Sequence, residues 1–64
     1  MNKRLKARII ERYGTQADFS VAIKTDETIV SRVIRGRRML DPKTQEKWAH
    51  KLGSTVAELF GNEN

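Results

Sequence analysis

Apolar residues recur at helical spacing in five stretches of this chain, and a glycine follows four of them. In the first stretch Leu5, Ile9 and Tyr13 lie four residues apart, and basic residues fill the positions between them. This spacing places the three side chains on one face of a helix, because about 3.6 residues complete a turn. The pattern predicts an amphipathic helix over residues 3–13 that ends at Gly14.

A second, shorter helix is predicted directly after this glycine. Thr15 is a favourable N-cap, and Asp18 follows three residues later, as the acidic partner of a capping box does. The residues expected to face inward are Phe19, Ala22 and Ile23. We expect this helix to end near Lys24.

The third stretch begins after two residues that cap helices well, Thr25 and Asp26. Its inward positions, spaced three and four apart, are Val30, Val33 and Ile34. The sequence predicts a third helix over about residues 27–35, ended by Gly36 in the left-handed conformation. Asp26 is expected to cap this helix. Ile29 lies off the apolar face, so it is expected either to be partly buried or to contact a ligand.

Two further helices complete the pattern. Asp41 followed by Pro42 starts the fourth, because proline suits the first position of a helix, and Gly53 ends it. Its inner face is expected to carry Gln45, Trp48, Ala49 and Leu52. Thr55 and Glu58 have the spacing of a capping box at the start of a short last helix. Its apolar residues are Val56, Leu59 and Phe60.

Length and composition agree with a compact all-α fold of five helices, in which residues 1–64 form a single domain. A chain of 64 residues buries only about 60% of the surface that it exposes when unfolded. It contains no cysteine, so neither a disulfide nor a cysteine-ligated zinc ion supplements the core. The fold must therefore depend on the burial of apolar side chains.

Charge is distributed unevenly along the chain. The net charge is +5 and the isoelectric point is near 10.1. Residues 1–38 contain ten Lys and Arg against four Asp and Glu, a net +6, whereas residues 39–64 contain three against four, a net −1. A basic half either keeps a small helical protein in solution or attracts a polyanion such as a nucleic acid.

The sequence disfavours several classes of function. No apolar run follows the basic N-terminal residues, and nowhere do about 18 apolar residues occur consecutively, so we expect a soluble, cytoplasmic protein. His50 is the only histidine, and no metal site is expected. Ser20, Ser31 and Ser54 lack a histidine base in helical register. We therefore expect neither an enzyme nor a protein with a cofactor or small-molecule ligand.

The most informative stretch runs from residue 15 to residue 37. It reads Thr15-Gln16-x-x-Phe19-Ser20-x-x-Ile23, a tight turn, and then Glu27-Thr28-x-Val30-Ser31-Arg32-Val33-x-x-Gly36-Arg37. On these residues, and on the ending from Leu52 to Phe60, the chain resembles the lambda-repressor-like (Cro/cI, XRE) helix-turn-helix family over residues 5–60. The resemblance implies a helix-turn-helix formed by the second and third helices, with the small Ser20 where their backbones approach closely.

The chain departs from this family at the turn itself. Lys24 stands where the family usually has glycine, and Thr25 stands where it usually has an apolar residue. Either Lys24 adopts the left-handed conformation, at a cost of about 1–2 kcal/mol, or the chain makes a different turn.

The resemblance implies binding to double-stranded DNA. The second helix would lie across the phosphate backbone, and the third, over residues 27–35, would enter the major groove. Base contacts are expected from Glu27, Thr28 and Arg32, with Ser31 and Arg35 close enough to contribute. Phosphate contacts are expected from Gln16, Lys24, Arg37 and Arg38, and Lys3 or Arg4 of the first helix would add to them.

The expected function is that of a sequence-specific transcriptional regulator of bacterial or phage type, acting as a repressor on a site that contains G·C pairs. A homodimer on a palindromic site is the expected assembly. The apolar residues that would form the dimer contact, or else close the monomer core, are Met39, Leu40, Leu59 and Phe60. The alternative is a protein-interaction module of the same fold, an antitoxin-like or anti-repressor factor, which the acidic pair Asp26-Glu27 favours. RNA binding is a third hypothesis. It is disfavoured because the sequence lacks the exposed aromatic side chains on which single-stranded bases stack.

Overall fold

The computed structural model describes residues 1–61, which form five helices without a strand. The helices are α1 (Lys3–Tyr13), α2 (Gln16–Ala22), α3 (Glu27–Ile34), α4 (Pro42–Lys51) and α5 (Val56–Leu59). The radius of gyration of 10.4 Å is that of a compact chain. The predicted all-α class and the number of helices are confirmed.

Side-chain caps explain where the helices begin. The hydroxyl oxygen of Thr15 accepts the backbone N–H of Asp18 at 3.0 Å, and the Asp26 carboxylate accepts that of Thr28 at 3.0 Å. Thr55 caps α5 in the same way through the N–H of Glu58, at 3.1 Å. These caps satisfy N–H groups that have no partner within their helix. The predicted N-caps at these three positions are confirmed.

Two details of the predicted caps and helix ends differ. Asp41 occupies the N-cap position of α4 but accepts no backbone N–H there, and its carboxylate instead accepts the hydroxyl of Thr44. This bond lowers the pKa of Asp41. The helices α2 and α3 end one or two residues earlier than predicted, because Ile23 and Arg35 serve as their C-caps.

All five helices contribute side chains to a single hydrophobic core. Its buried apolar members are Leu5, Ile9, Phe19, Val30, Val33, Ile34, Trp48, Ala49, Leu52 and Leu59. The ring of Phe19 lies edge-on to Trp48 with their centroids 5.3 Å apart, and Tyr13 packs against Phe19 at 5.2 Å. Such aromatic pairs contribute about 0.5–1.5 kcal/mol beyond the area that they bury. Aromatic packing therefore joins α1, α2 and α4.

The turn between α2 and α3 has the geometry of a Schellman motif. The N–H of Thr25 donates to the carbonyl of Ser20 at 2.9 Å, and the N–H of Lys24 donates to that of Val21 at 3.1 Å. The motif requires a left-handed residue, and Lys24 occupies that position with φ of 56°. The helices α3 and α4 end in the same motif with glycine, at Gly36 and Gly53. Lys24 thus adopts the left-handed alternative considered from the sequence.

Asn2 connects three helices in a way that the sequence did not indicate. Its side-chain oxygen caps α1 by accepting the N–H of Leu5 at 3.0 Å, and its amide nitrogen donates to the carbonyl of Leu59 at 2.6 Å. Its backbone N–H donates to the carbonyl of Ile34, also at 2.6 Å. One residue therefore holds the start of α1 against the ends of α3 and α5.

We expect Lys24→Gly to stabilise the protein by about 0.5–1 kcal/mol, because glycine adopts a positive φ without steric cost but loses more entropy on folding. Urea denaturation followed by circular dichroism would measure the change. The matched control is Gly36→Ala, whose added Cβ would meet no atom within 4 Å but whose φ is +80°. It should destabilise by about 1 kcal/mol. Equal effects of both substitutions would contradict the assigned turn.

We expect Asn2→Ser to destabilise the protein less than Asn2→Ala. Serine retains an oxygen that caps α1 and loses only the donor to Leu59, whereas alanine loses both, at about 1 kcal/mol for each interaction. Denaturation midpoints would rank the two variants, with exposed Lys3→Ala as a control that changes little. Equal stability of the serine and alanine variants would show that the amide contact to Leu59 contributes nothing.

Candidate nucleic-acid interface

Helix α3 has one buried and one exposed side. Val30, Val33 and Ile34 are buried in the core. Of the residues expected to contact bases, Glu27, Thr28, Arg32 and Arg35 are exposed and Ser31 is half-buried. The helix therefore presents both hydrogen-bond donors and acceptors outward from a rigidly packed inner face.

These side chains form one shallow surface depression, here called the α3 depression. Its lining consists of Gln16, Glu27, Thr28, Ser31, Arg32 and Arg35. Gln16 is the first residue of α2, so the packing of α2 against α3 brings it beside the exposed face of α3. The structure thus brings together all five expected base-contacting residues and one expected phosphate contact.

The other expected phosphate contacts lie outside this depression. Lys24 and Arg38 line a second concavity, here called the α4 groove, between the α2–α3 turn and α4. Arg37 is exposed directly after α3, where its N–H donates to the carbonyl of Arg32. The nine residues therefore surround α3 without forming one continuous cluster.

The cations around α3 are not neutralised by the chain itself. In the described part of the chain the one ion pair joins Arg8 to Glu11 at 3.1 Å, on α1. No carboxylate of residues 1–61 is paired with Arg32, Arg35, Arg37 or Arg38. Their charge is consequently available to an external anion, and it is opposed locally by the exposed Glu27.

The structure defines the roles of Asp26 and Ile29. The Asp26 carboxylate caps α3, as expected. Ile29 is half-buried and packs against the core, which is the first of its two alternatives. Neither residue lines the α3 depression.

The apolar residues considered for a dimer contact are mostly used within the monomer. Leu59 is buried, and Leu40 and Phe60 pack against the core. Met39, in contrast, is 88% exposed. Of these four residues, only Met39 presents a largely uncovered apolar side chain.

Sequence reasoning missed two lysines that lie beside the expected phosphate contacts. Lys47 and Lys51 of α4 line the α4 groove together with Lys24 and Arg38. Their spacing of four residues placed them on one face of α4, and this was the available signal. That this face meets the α2–α3 turn becomes apparent only from the tertiary structure.

Residues 1–61 contain neither a group of potential metal ligands nor a helix suited to span a membrane. Within residues 1–61 no three His, Asp or Glu side chains are grouped so that they could hold a metal ion. None of the helices described is both long enough and apolar enough to cross a bilayer. Comparison with known proteins found no matching family model, curated protein or solved structure.

Proposed function

We propose that this chain binds double-stranded DNA sequence-specifically, as a small transcriptional regulator that inserts α3 into the major groove. The observation that supports this best is the α3 depression. It gathers two guanidinium groups, two hydroxyls and a carboxylate on the outer side of one helix whose other side is buried. The major groove of B-DNA is about 12 Å wide and admits a helix of this kind.

The chemistry of the depression suits the reading of base edges. Arg32 can donate two hydrogen bonds to O6 and N7 of guanine, and Glu27 can accept one from N4 of cytosine. Thr28 can donate, accept or place its methyl group against thymine. Gln16 at the start of α2 would contact a phosphate and fix the orientation of the protein. We therefore expect a preferred half-site with G·C pairs.

Selection of duplexes from a random pool tests the proposal directly. The full chain should enrich a defined consensus that contains G·C pairs, and a palindrome with half-sites about 10 base pairs apart would indicate a homodimer. Failure to enrich any sequence would contradict specific binding. A consensus made only of A·T pairs would contradict the roles given to Arg32 and Glu27.

We expect Arg32→Ala to weaken binding to the selected site by about 1–3 kcal/mol, roughly 5- to 150-fold, and to relax the preference for guanine. Fluorescence anisotropy with the selected and a scrambled duplex would measure both effects. Lys43→Ala is the matched control, because it removes the same charge from an exposed position outside the depression. Equal losses for the two variants would show that Arg32 contributes charge alone.

Salt dependence separates phosphate contacts from base contacts. If one monomer neutralises about five phosphates, the slope of log affinity against log salt should be about −4 to −5. Arg37→Ala and Arg38→Ala should each reduce the slope by about one while leaving the consensus unchanged. An affinity that does not depend on salt would contradict the proposed electrostatic contacts.

The second candidate is a protein-interaction module of the same fold. It is favoured by Glu27, whose exposed carboxylate would be repelled by phosphates. Its acidic neighbour Asp26 is already engaged as a helix cap, which weakens the argument from the pair. Absence of any duplex binding, together with a folded chain, would favour this candidate.

A further inference from the structure

The α4 groove combines cations with apolar side chains. Four exposed cations line it: Lys24, Arg38, Lys47 and Lys51. Less exposed apolar side chains lie among them, namely Ile23, Ile29, Leu40 and Trp48. The groove has a volume of about 430 Å³, within the range of clefts that receive ligand groups.

The charge of this groove is strongly unbalanced. Asp41 is the one acidic side chain among the residues that line it in the described part of the chain. Its carboxylate accepts the hydroxyl of Thr44, and none of the four cations forms an ion pair with it. Four cations face one carboxylate, so the groove favours an acidic occupant.

Apolar contacts distinguish this surface from a simple phosphate track. Met39 lies at the groove and is 88% exposed, although the core lies directly beneath the neighbouring Leu40. A phosphodiester backbone offers no apolar group to pack against a methionine or isoleucine, whereas an amphipathic helix inserts apolar side chains into such a groove. Methionine is also well suited to irregular partners, because its side chain is flexible and polarisable.

We propose that the α4 groove docks an acidic amphipathic helix of a partner protein, with apolar side chains against Met39 and carboxylates against Lys47 and Lys51. A second copy of this chain placed groove to groove fits poorly, because the two grooves would bring like charges together. Lys24 and Arg38 belong both to this groove and to the proposed phosphate contacts. Insofar as DNA binding holds, the partner and DNA therefore compete for the same cations.

The test uses the full chain and a fluorescent peptide of about 16 residues that places Leu and Phe on one helical face and Glu on its flanks. Two control probes are a peptide of the same composition in an order without helical periodicity, and polyglutamate of equal length. Anisotropy should show the amphipathic peptide binding at least about tenfold more tightly than either control. Equal binding of all three probes, or no binding of the amphipathic peptide, would overturn the proposal.

Three exposed positions provide the variants. We expect Lys47→Glu to weaken peptide binding about tenfold and Met39→Ser to weaken it about threefold. Lys43→Glu is the matched control, because Lys43 lies on the same helix but does not line the groove. Circular dichroism would verify that each variant folds. Losses as large for Lys43→Glu as for Lys47→Glu would show a general effect of charge and refute the docking site.

Self-association and competition complete the experiment. Sedimentation that shows a dimer abolished by Met39→Ser would assign the groove to a second copy and overturn the proposal. Added duplex of the selected sequence should displace the peptide, and a stable ternary complex would contradict the shared role of Lys24 and Arg38. The peptide titrations and the variant measurements are made without duplex, so their outcome does not depend on whether the chain binds DNA.

Discussion

The buried ring of Phe19 is the contact on which the arrangement of the helices depends. It belongs to α2, is completely removed from solvent, and touches the rings of Tyr13 from α1 and Trp48 from α4. Trp48 in turn packs against Phe60, with ring centroids 6.4 Å apart. In a chain without disulfides, this series of aromatic contacts connects α1, α2 and α4 to the end of α5. The position of α3 follows, because α3 is joined to α2 by a short turn in which the N–H groups of Lys24 and Thr25 both donate to carbonyls of α2.

Local signals explain why so much of this fold could be predicted from the sequence. A cap such as Thr15 or Asp26 acts within three residues of itself, and the apolar spacing within a helix is visible in one short segment. The C-terminal ends of α2 and α3 were predicted less accurately, because the C-cap residues Ile23 and Arg35 are not residue types typical of helix ends. The role of Asn2 could not be predicted, because the amide and its acceptor at Leu59 are separated by 57 positions.

The same distinction applies to the candidate site. The base-contacting residues of α3 were predicted as a group because they lie on one face of a helix. Gln16 was added to the candidate site through the family resemblance. Lys47 and Lys51 were missed because they become neighbours of Lys24 only when α4 packs beside the turn. Charge counts along the chain did not predict the α4 groove either. Residues 39–64 are nearly neutral overall, yet they contribute two of its four cations.

The hydrogen bonds of Asn2 couple the start of α1 to the end of α5. The residue donates from its backbone to the end of α3 and from its side chain to the end of α5. Helix α5 spans only four residues, too few to persist without neighbours. Loss of the Asn2 contacts at the start of α1 would therefore also loosen α5 and the last turn of α3. Trimming the chain before α1 would consequently remove contacts that hold both α5 and the end of α3.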